Sequence, residues 1–257
     1  MDKPSPGNAL VTGAGRGIGR AIALAMAESG FAVVVNDLVA SQELAETVAL
    51  IEGQGGQAVA IPGDIGDIAG HARLVEAAWD AFGGIDCLVN NAGISVAKRG
   101  DMLEVTPESY DRLLDVNLRG PFFLTQAVAQ RMVAVPSARF RSIVSISSIN
   151  VEFASPDRAE YCIAKHGLAM VSQLFALRLA PHGINVYEVR PGVIRTQMTA
   201  VARERYDGLF ANGLAPIARW GEPEDVGAAV ATLAGGSLRY STGEVVRVDG
   251  GMAVRRL

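Results

Sequence analysis

Residues 9–37 read ALVTGAGRGIGRAIALAMAESGFAVVVND, in which a glycine-rich turn and a stretch of helical periodicity separate two short apolar runs. The turn is Thr12-Gly13-Ala14-Gly15-Arg16-Gly17-Ile18-Gly19, and the helical pattern begins directly behind it. It has the form T-G-x-x-x-G-x-G, which differs from the strict dinucleotide pattern G-x-G-x-x-G. Glycines let the backbone approach a pyrophosphate, and a helix N-terminus offers free N–H groups and a positive dipole end. The stretch therefore predicts a strand–turn–helix–strand unit that binds a dinucleotide.

Two charged residues near this turn bear on the choice of cofactor. Asp37 follows the second apolar run, about twenty residues after the turn, where a carboxylate binds the ribose 2′-hydroxyl of NAD. A carboxylate there also repels the 2′-phosphate of NADP. Arg16 favours the opposite choice, because a guanidinium could pair with that phosphate, although it could equally be an exposed loop cation. We expect Asp37 to dominate, so that NAD is the preferred cofactor and NADP a possible one.

The alternation of apolar runs and helical stretches continues along the chain. Strands that a parallel sheet buries on both faces are predicted at residues 9–12, 32–36, 58–62, 87–90, 142–146, 185–189 and 244–248. Helical periodicity occupies residues 17–29, 71–82, 107–133, 155–180 and 223–233. Neither a repeat nor a linker divides the 257 residues.

We therefore predict an α/β fold with one Rossmann-type, doubly wound sheet of about seven parallel strands and helices on both faces. The whole of residues 1–257 would form a single NAD(P)-binding domain. Residues 195–216 follow the sixth strand with a mixed polar and apolar composition. Because open α/β sheets bind ligands at the carboxyl ends of their strands, we expect this segment to be a substrate lid.

The composition argues against several other classes of protein. No segment reaches the roughly 18 consecutive apolar residues of a membrane span, and the N-terminus lacks the layout of a signal peptide, so we expect a soluble, cytoplasmic protein. The net charge is −4 and no basic run could follow a phosphate backbone, so nucleic acid is not an expected partner. Cys87 and Cys162 have no neighbouring cysteine or histidine cluster, so no metal site is expected.

Tyr161 and Lys165 are four residues apart in a helical stretch, so both side chains project from one face. A phenol has a pKa of about 10, and we expect the nearby ammonium to lower the pKa of Tyr161 toward the working range. The pair is therefore suited to proton transfer. Ser147 and Ser148 end the fifth strand, where a hydroxyl could reach the same substrate oxygen.

In their order and spacing these motifs resemble those of the short-chain dehydrogenase/reductase family. The resemblance extends from Leu10 to Gly251 and is closest to members called 3-oxoacyl-[acyl-carrier-protein] reductases. It rests on the glycine turn, Asp64, Asn90-Asn91-Ala92-Gly93, Asn117, Ser148, Tyr161-x-x-x-Lys165, Arg190-Pro191-Gly192, Thr196, Thr242-Gly243 and Val248-Asp249-Gly250-Gly251.

The resemblance implies catalytic roles for four residues. Tyr161 would be the acid/base, and Lys165 would lower its pKa and hold the nicotinamide ribose. Ser148 would hydrogen-bond the substrate oxygen, and the family spacing selects it over Ser147. Asn117 would bend its helix and hold a water that links Lys165 to solvent. Without the resemblance, Asn117 would be an ordinary exposed asparagine.

The same resemblance extends the set of cofactor-binding residues. Asp64 and Ile65 would flank the adenine, Asn91 would approach the ribose on the adenine side, and Thr196 would meet the nicotinamide carboxamide. Asp64 also fits an ordinary turn, because it follows Pro62-Gly63. The complete predicted set is Gly13, Arg16, Gly17, Ile18, Gly19, Asp37, Asp64, Ile65, Asn91, Gly93, Tyr161, Lys165 and Thr196.

The expected reaction is hydride transfer between the nicotinamide and a carbonyl or secondary alcohol. A preference for NAD favours a small hydroxy compound, such as a sugar, polyol or hydroxy acid. The alternative is a 3-oxoacyl-[acyl-carrier-protein] reductase that uses NADPH, with Arg131, Arg139 and Arg141 as a docking patch for the acidic carrier or as ordinary surface residues. A non-catalytic cofactor sensor is disfavoured because Ser148 and Tyr161-x-x-x-Lys165 are all present. The resemblance also implies a homotetramer, in which the helices that hold Asn117 and Tyr161 pair between subunits.

Overall fold

The computed structural model describes residues 6–255 and contains one sheet of seven parallel strands. In chain order the strands are β1 Asn8–Val11, β2 Ala32–Val35, β3 Gln57–Ala60, β4 Cys87–Asn90, β5 Arg141–Ile146, β6 Ile184–Pro191 and β7 Val245–Val248. Their order in the sheet is β3-β2-β1-β4-β5-β6-β7, so the winding reverses between β1 and β4. Such a reversal opens a crevice at the carboxyl ends of the two strands. The predicted α/β, doubly wound fold is confirmed.

Nine α-helices are present among the described residues, and most of them cover the sheet. They are α1 Gly17–Glu28, α2 Gln42–Gly53, α3 His71–Phe82, α4 Pro107–Leu114, α5 Gly120–Ala134, α6 Ala159–Leu179, α7 Gln197–Ala200, α8 Arg203–Ala211 and α9 Pro223–Ala234. Apolar residues of α1, α2 and α9 pack on one face of the sheet, and those of α3, α5 and α6 pack on the other. The sheet is thus covered on both sides, as the short apolar strands require.

Burial differs between central and edge strands. Every residue of β1, β2, β4, β5 and β6 is buried, which agrees with the apolar patterns of those strands. The prediction of burial on both faces is wrong for β3 and β7, which are partly exposed. Each of these strands lies at an edge of the sheet and pairs with only one neighbour, so solvent reaches the other side.

Several helices differ from the sequence prediction. The predicted helix at residues 107–133 contains a π-helical turn, Asp115–Arg119, between α4 and α5. The predicted helix at residues 155–180 starts later, at Ala159, because a 3-10 turn over Pro156–Arg158 precedes α6. α2 was not predicted. The short helices α7 and α8 lie in the segment expected to form the lid. No helix in the described part of the chain is long and apolar enough to cross a membrane.

Candidate active site

The glycine turn brings β1 and α1 into close contact. A Cβ on Gly19 would lie 2.0 Å from the carbonyl oxygen of Gly13, so only glycine allows this approach. Gly13 and Gly17 adopt φ angles of +63° and +55°, a region that favours glycine. α1 begins without a side-chain cap and without an acidic residue in its first turn. Its first N–H groups are therefore suited to an anionic ligand such as a pyrophosphate.

Asp37 and Arg16 have different hydrogen-bond partners in this region. The Asp37 carboxylate accepts hydrogen bonds from the backbone N–H groups of Gly15, at 3.0 Å, and Leu38, at 2.7 Å. The Arg16 guanidinium instead donates to the Oε1 atom of Gln197 in α7, at 2.8 Å. The group held against the glycine turn is therefore negative. The expectation that Asp37 outweighs Arg16 in the choice of cofactor stays a prediction.

Three further residues predicted to bind the cofactor also have structural roles. The Asn91 amide donates to the carbonyl oxygens of Thr12 and Gly13, at 2.9 and 3.2 Å, and so ties β4 to the glycine turn. Asp64 accepts from the N–H of Gly66 at 2.8 Å, as in an ordinary turn. Thr196 caps α7 and faces Gly17 across the cleft.

Ser148, Tyr161 and Lys165 are buried together at the carboxyl end of β5. Their exposed fractions are 7%, 9% and 4%. The Ser148 hydroxyl acts to lower the pKa of Tyr161, and in the chain alone it donates to the Oδ1 atom of Asn150 at 3.4 Å. The Lys165 Nζ atom lies 5.9 Å from the centre of the Tyr161 ring and donates to the carbonyl oxygen of Ile146 at 2.9 Å. Ser147 is engaged elsewhere, because its hydroxyl donates to the carboxylate of Glu188.

The expectation that the pKa of Tyr161 is lowered is wrong for the chain alone. Burial raises the pKa of Tyr161 above its usual value, while the hydrogen bond from Ser148 and the charge of Arg158 oppose this rise. Burial also lowers the pKa of Lys165 to about 8, and the charge of Glu188 opposes that shift. The Lys165 ammonium is bonded to the Ile146 carbonyl. Burial of the phenol therefore outweighs the effects of Ser148 and Arg158 on the pKa of Tyr161.

Asn117 lies in the π-helical turn and is fully buried, which excludes an ordinary exposed asparagine. Its side-chain amide exchanges two hydrogen bonds with the backbone of Ile94, each 2.8 Å long. A Cβ on Gly93 would lie 3.2 Å from the Asn117 Oδ1 atom and 3.5 Å from the Lys165 Nζ atom. The glycine thus lets the loop after β4 pass close to both side chains.

A single cleft contains both the glycine turn and the buried catalytic residues. Its volume of about 980 Å³ is near the upper end of the usual range for ligand sites. Every predicted site residue except Asn117 lines the cleft. Asn117 contacts the cleft indirectly, because it hydrogen-bonds Ile94, which is a lining residue. Several other side chains that line the cleft around the catalytic groups were not predicted from the sequence. These are Arg99, Asn150, Phe153, Arg158, Met198, Arg205, Tyr206, Leu209, Leu214 and Met252. Most come from the loop after β4, the 3-10 turn before α6, and the predicted lid, whose positions depend on tertiary packing.

The three arginines considered either as a carrier-docking patch or as ordinary surface residues differ in their surroundings. Arg141 is 8% exposed, lies 3.6 Å from Asp86, and donates to the carbonyl oxygens of Met132 and Val135. Arg139 pairs with the same carboxylate at 3.2 Å. Arg131 lies over the ring of Trp79. The buried carboxylate of Asp86 thus holds two of the three cations at the start of β5.

Comparison with known proteins agrees with this geometry. The profile of the family described as enoyl-(acyl carrier protein) reductase matches residues 13–253. A 3-oxoacyl-[acyl-carrier-protein] reductase from Synechocystis is 37% identical over 96% of each chain. Two crystal structures are also similar. That of a 3-oxoacyl-[acyl-carrier protein] reductase from Brucella melitensis in complex with NAD is 47% identical, with a TM-score of 0.95 over the full length of both chains. That of a putative 2-deoxy-D-gluconate 3-dehydrogenase from Agrobacterium tumefaciens with bound NADP is 35% identical, with a TM-score of 0.88 over 98% of each.

Proposed function

The chain belongs to the short-chain dehydrogenase/reductase family of NAD(P)-dependent oxidoreductases, and on that premise we propose that it reduces the 3-carbonyl of 3-oxoacyl thioesters with NADH. The observation that carries the proposal is the buried group of Ser148, Tyr161 and Lys165 in the same cleft as the glycine turn and Asp37. The relatives from Synechocystis and Brucella, both named as 3-oxoacyl reductases, support the substrate.

Each catalytic side chain acts on a defined atom. Ser148 donates a hydrogen bond to the substrate carbonyl oxygen and holds it beside the Tyr161 hydroxyl. Tyr161 gives its proton to that oxygen as charge develops there. The raised pKa of Tyr161 keeps the phenol protonated at neutral pH, as a proton donor must be. Lys165 stabilises the phenolate that remains.

The residues around the glycine turn fit a bound dinucleotide. The uncapped start of α1 and the glycine turn would hold the pyrophosphate, and Asp37 would bind the adenosine ribose. Lys165 and Thr196 would hold the nicotinamide end, with Asn91, Asp64 and Ile65 along the adenosine half. When bound, the nicotinamide supplies the hydride that the reduction needs.

Apolar and polar side chains share the substrate end of the cleft. Phe153, Met198, Leu209, Leu214 and Met252 offer apolar contacts to an acyl chain, and Asn150, Arg158, Arg205 and Tyr206 add polar groups. Such a mixed lining accommodates either class of substrate. The relatives named as 3-oxoacyl reductases therefore favour the 3-oxoacyl alternative over the small hydroxy compound expected from the sequence, and the Asp37 carboxylate favours NADH over the NADPH of that alternative.

The test is a parallel assay of purified protein by absorbance of the reduced cofactor. We expect reduction of a 3-oxobutyryl thioester with NADH to be at least tenfold more efficient than with NADPH. Oxidation of gluconate, 2-deoxygluconate or simple polyols with NAD should be much slower. If the enzyme oxidises a sugar acid faster than it reduces any 3-oxoacyl compound, the proposal is wrong and the protein is a dehydrogenase of small hydroxy compounds.

The oligomeric state is part of the proposal. Ile163, Met170, Leu174 and Leu177 recur at helical spacing along α6 and are 48–78% exposed. An exposed apolar stripe of this kind marks an interface between proteins. We expect these residues to pair α6 with a second subunit in a homotetramer. Elution of the protein as a monomer in size-exclusion chromatography would contradict this. The substrate lid at residues 195–216, the single domain and the cytoplasmic location also stay predictions.

A further inference from the structure

Arg158 lies directly beside the catalytic tyrosine. It ends the 3-10 turn Pro156–Arg158 and caps the start of α6, three residues before Tyr161. The Arg158 Cζ atom is 5.1 Å from the centre of the Tyr161 ring, and both residues line the cleft. The guanidinium is thus next to the position where the substrate carbonyl is reduced.

Most of the hydrogen-bonding capacity of Arg158 is unused within the described chain. One nitrogen, Nη2, donates to the Oδ1 atom of Asn150 at 2.7 Å. The Nε atom is buried and has no acceptor among the described residues. A guanidinium has five N–H donors, and no carboxylate of residues 6–255 lies within 4 Å of Arg158.

The two other arginines at this end of the cleft are different. Arg99 and Arg205 both pair with the carboxylate of Asp157, at 3.3 and 3.4 Å. That carboxylate also accepts from Ser155 at 2.7 Å. Asp157 therefore pairs with both Arg99 and Arg205, whereas Arg158 has no carboxylate partner among the described residues.

We propose that Arg158 binds the oxygen on C1 of the substrate, two carbons from the carbonyl that is reduced, and so selects 3-oxoacyl compounds over simple ketones. This inference rests on the proposed function and deepens it. Ser148 and Tyr161 hold the C3 oxygen, and the acyl group then extends toward the guanidinium. A thioester carbonyl would accept one N–H, whereas a free carboxylate would accept two from the planar guanidinium. Thioester and free acid both present an acyl oxygen at C1, and the assay below tests the two kinds of substrate separately.

Arg158 could instead act only through Tyr161, because its positive charge favours the phenolate. Such an effect would change the rate with every substrate by the same factor and would move the pH profile. Recognition of C1 would weaken only substrates that carry the C1 oxygen, and the pH profile would stay in place.

The experiment compares Arg158→Met and Arg158→Lys with the wild-type enzyme. The matched control is Arg99→Met, which removes a guanidinium from the same end of the cleft but leaves Asp157 paired with Arg205. Each protein is assayed with NADH and three substrates: a 3-oxobutyryl thioester, free 3-oxobutanoate, and trifluoroacetophenone, an activated ketone without a C1 acyl oxygen. Thermal melting and NADH titration establish that each variant folds and binds the cofactor.

We expect Arg158→Met to lower kcat/KM for the 3-oxoacyl substrates, relative to the activated ketone, by about 10- to 100-fold, the range for a lost hydrogen bond to a charged group. Arg158→Lys should lose less, and Arg99→Met should keep the wild-type ratio. Equal losses with all three substrates, or a shifted pH profile at constant ratio, would overturn the inference. If the wild-type enzyme reduces free 3-oxobutanoate but not the thioester, and Arg158→Met loses that activity selectively, the inference stands and the proposed thioester substrate falls.

Discussion

Replacing Lys165 with methionine should make the protein more stable while removing its activity. The ammonium is 4% exposed, and burial lowers its pKa from 10.5 to about 8, so folding pays a free-energy cost for keeping the charge. A drop of that size corresponds to about 3 kcal/mol at pH 7, by the conversion of pKa differences into free energy. Methionine fills nearly the same volume without a charge. It leaves the Ile146 carbonyl without its partner, which costs about 1 kcal/mol. The net expected gain is about 2 kcal/mol, or roughly 4–8 °C in Tm for a chain of this size.

The pH dependence gives the sign of the effect. The pKa of Lys165 is lower in the folded chain than in the unfolded chain, so the cost is complete below pH 8. This cost decreases as the pH rises from 8 to 10.5, because the folded chain then loses the Lys165 proton while the unfolded chain still binds it. The advantage of Lys165→Met should therefore fall to about zero at pH 10.

The assay is thermal unfolding at pH 7 and pH 10, at one protein concentration because oligomerisation shifts the Tm. Lys98→Met is the matched control, since the side chain of Lys98 is 85% exposed and its replacement should leave the Tm nearly unchanged. A Lys165→Met protein that melts below the wild type at pH 7, or whose advantage is the same at both pH values, would refute the reasoning.

Two further predictions concern the cofactor end of the cleft. Asp37→Asn removes the charge but keeps an oxygen that can accept from the N–H of Gly15, so affinity for NADPH relative to NADH should rise about tenfold in calorimetric titration. An unchanged ratio would contradict the role of Asp37. Gly19→Ala places a methyl group 2.0 Å from the Gly13 carbonyl oxygen and should weaken NADH binding more than about tenfold while lowering the Tm. In the control Gly53→Ala, the new methyl group meets no atom within 4 Å beyond its chain neighbours and its own helical turn, so this variant should bind NADH normally. Normal binding by Gly19→Ala would show that the close approach is not needed.

Elements encoded by local patterns were predictable from the sequence. The strands were predicted within one or two residues, because runs such as residues 32–36 combine β-branched residues with turn signals at their ends. α2 was not among the predicted helical stretches, although Leu44, Val48 and Ile51 recur at helical spacing and pack against the core. Thr47 lies on the same buried face, where its hydroxyl donates to the carbonyl oxygen of Ala14.

The parts of the site that the sequence did not predict depend on tertiary contacts. The sequence indicates that Tyr161 and Lys165 share a helix face, but the rise in the pKa of Tyr161 follows from its burial in the folded chain. Arg158 is three residues before Tyr161, a spacing that could have marked it. The sequence does not show that Arg158 lacks an acidic partner in the described chain. That follows from the tertiary structure, in which Asp157 pairs with Arg99 and Arg205 instead.

The central claim is that Tyr161 gives the proton when the enzyme reduces a 3-oxoacyl carbonyl with NADH. The most direct test mixes enzyme loaded with NADH with a 3-oxobutyryl thioester and follows NADH absorbance through the first turnover, for the wild type and for Tyr161→Phe. The account predicts a fast first turnover in the wild type. It also predicts a loss of 10²- to 10⁴-fold in Tyr161→Phe, the usual contribution of a general acid, with NADH affinity within about threefold of the wild type. A Tyr161→Phe enzyme that reduces the thioester at the wild-type rate would contradict the claim.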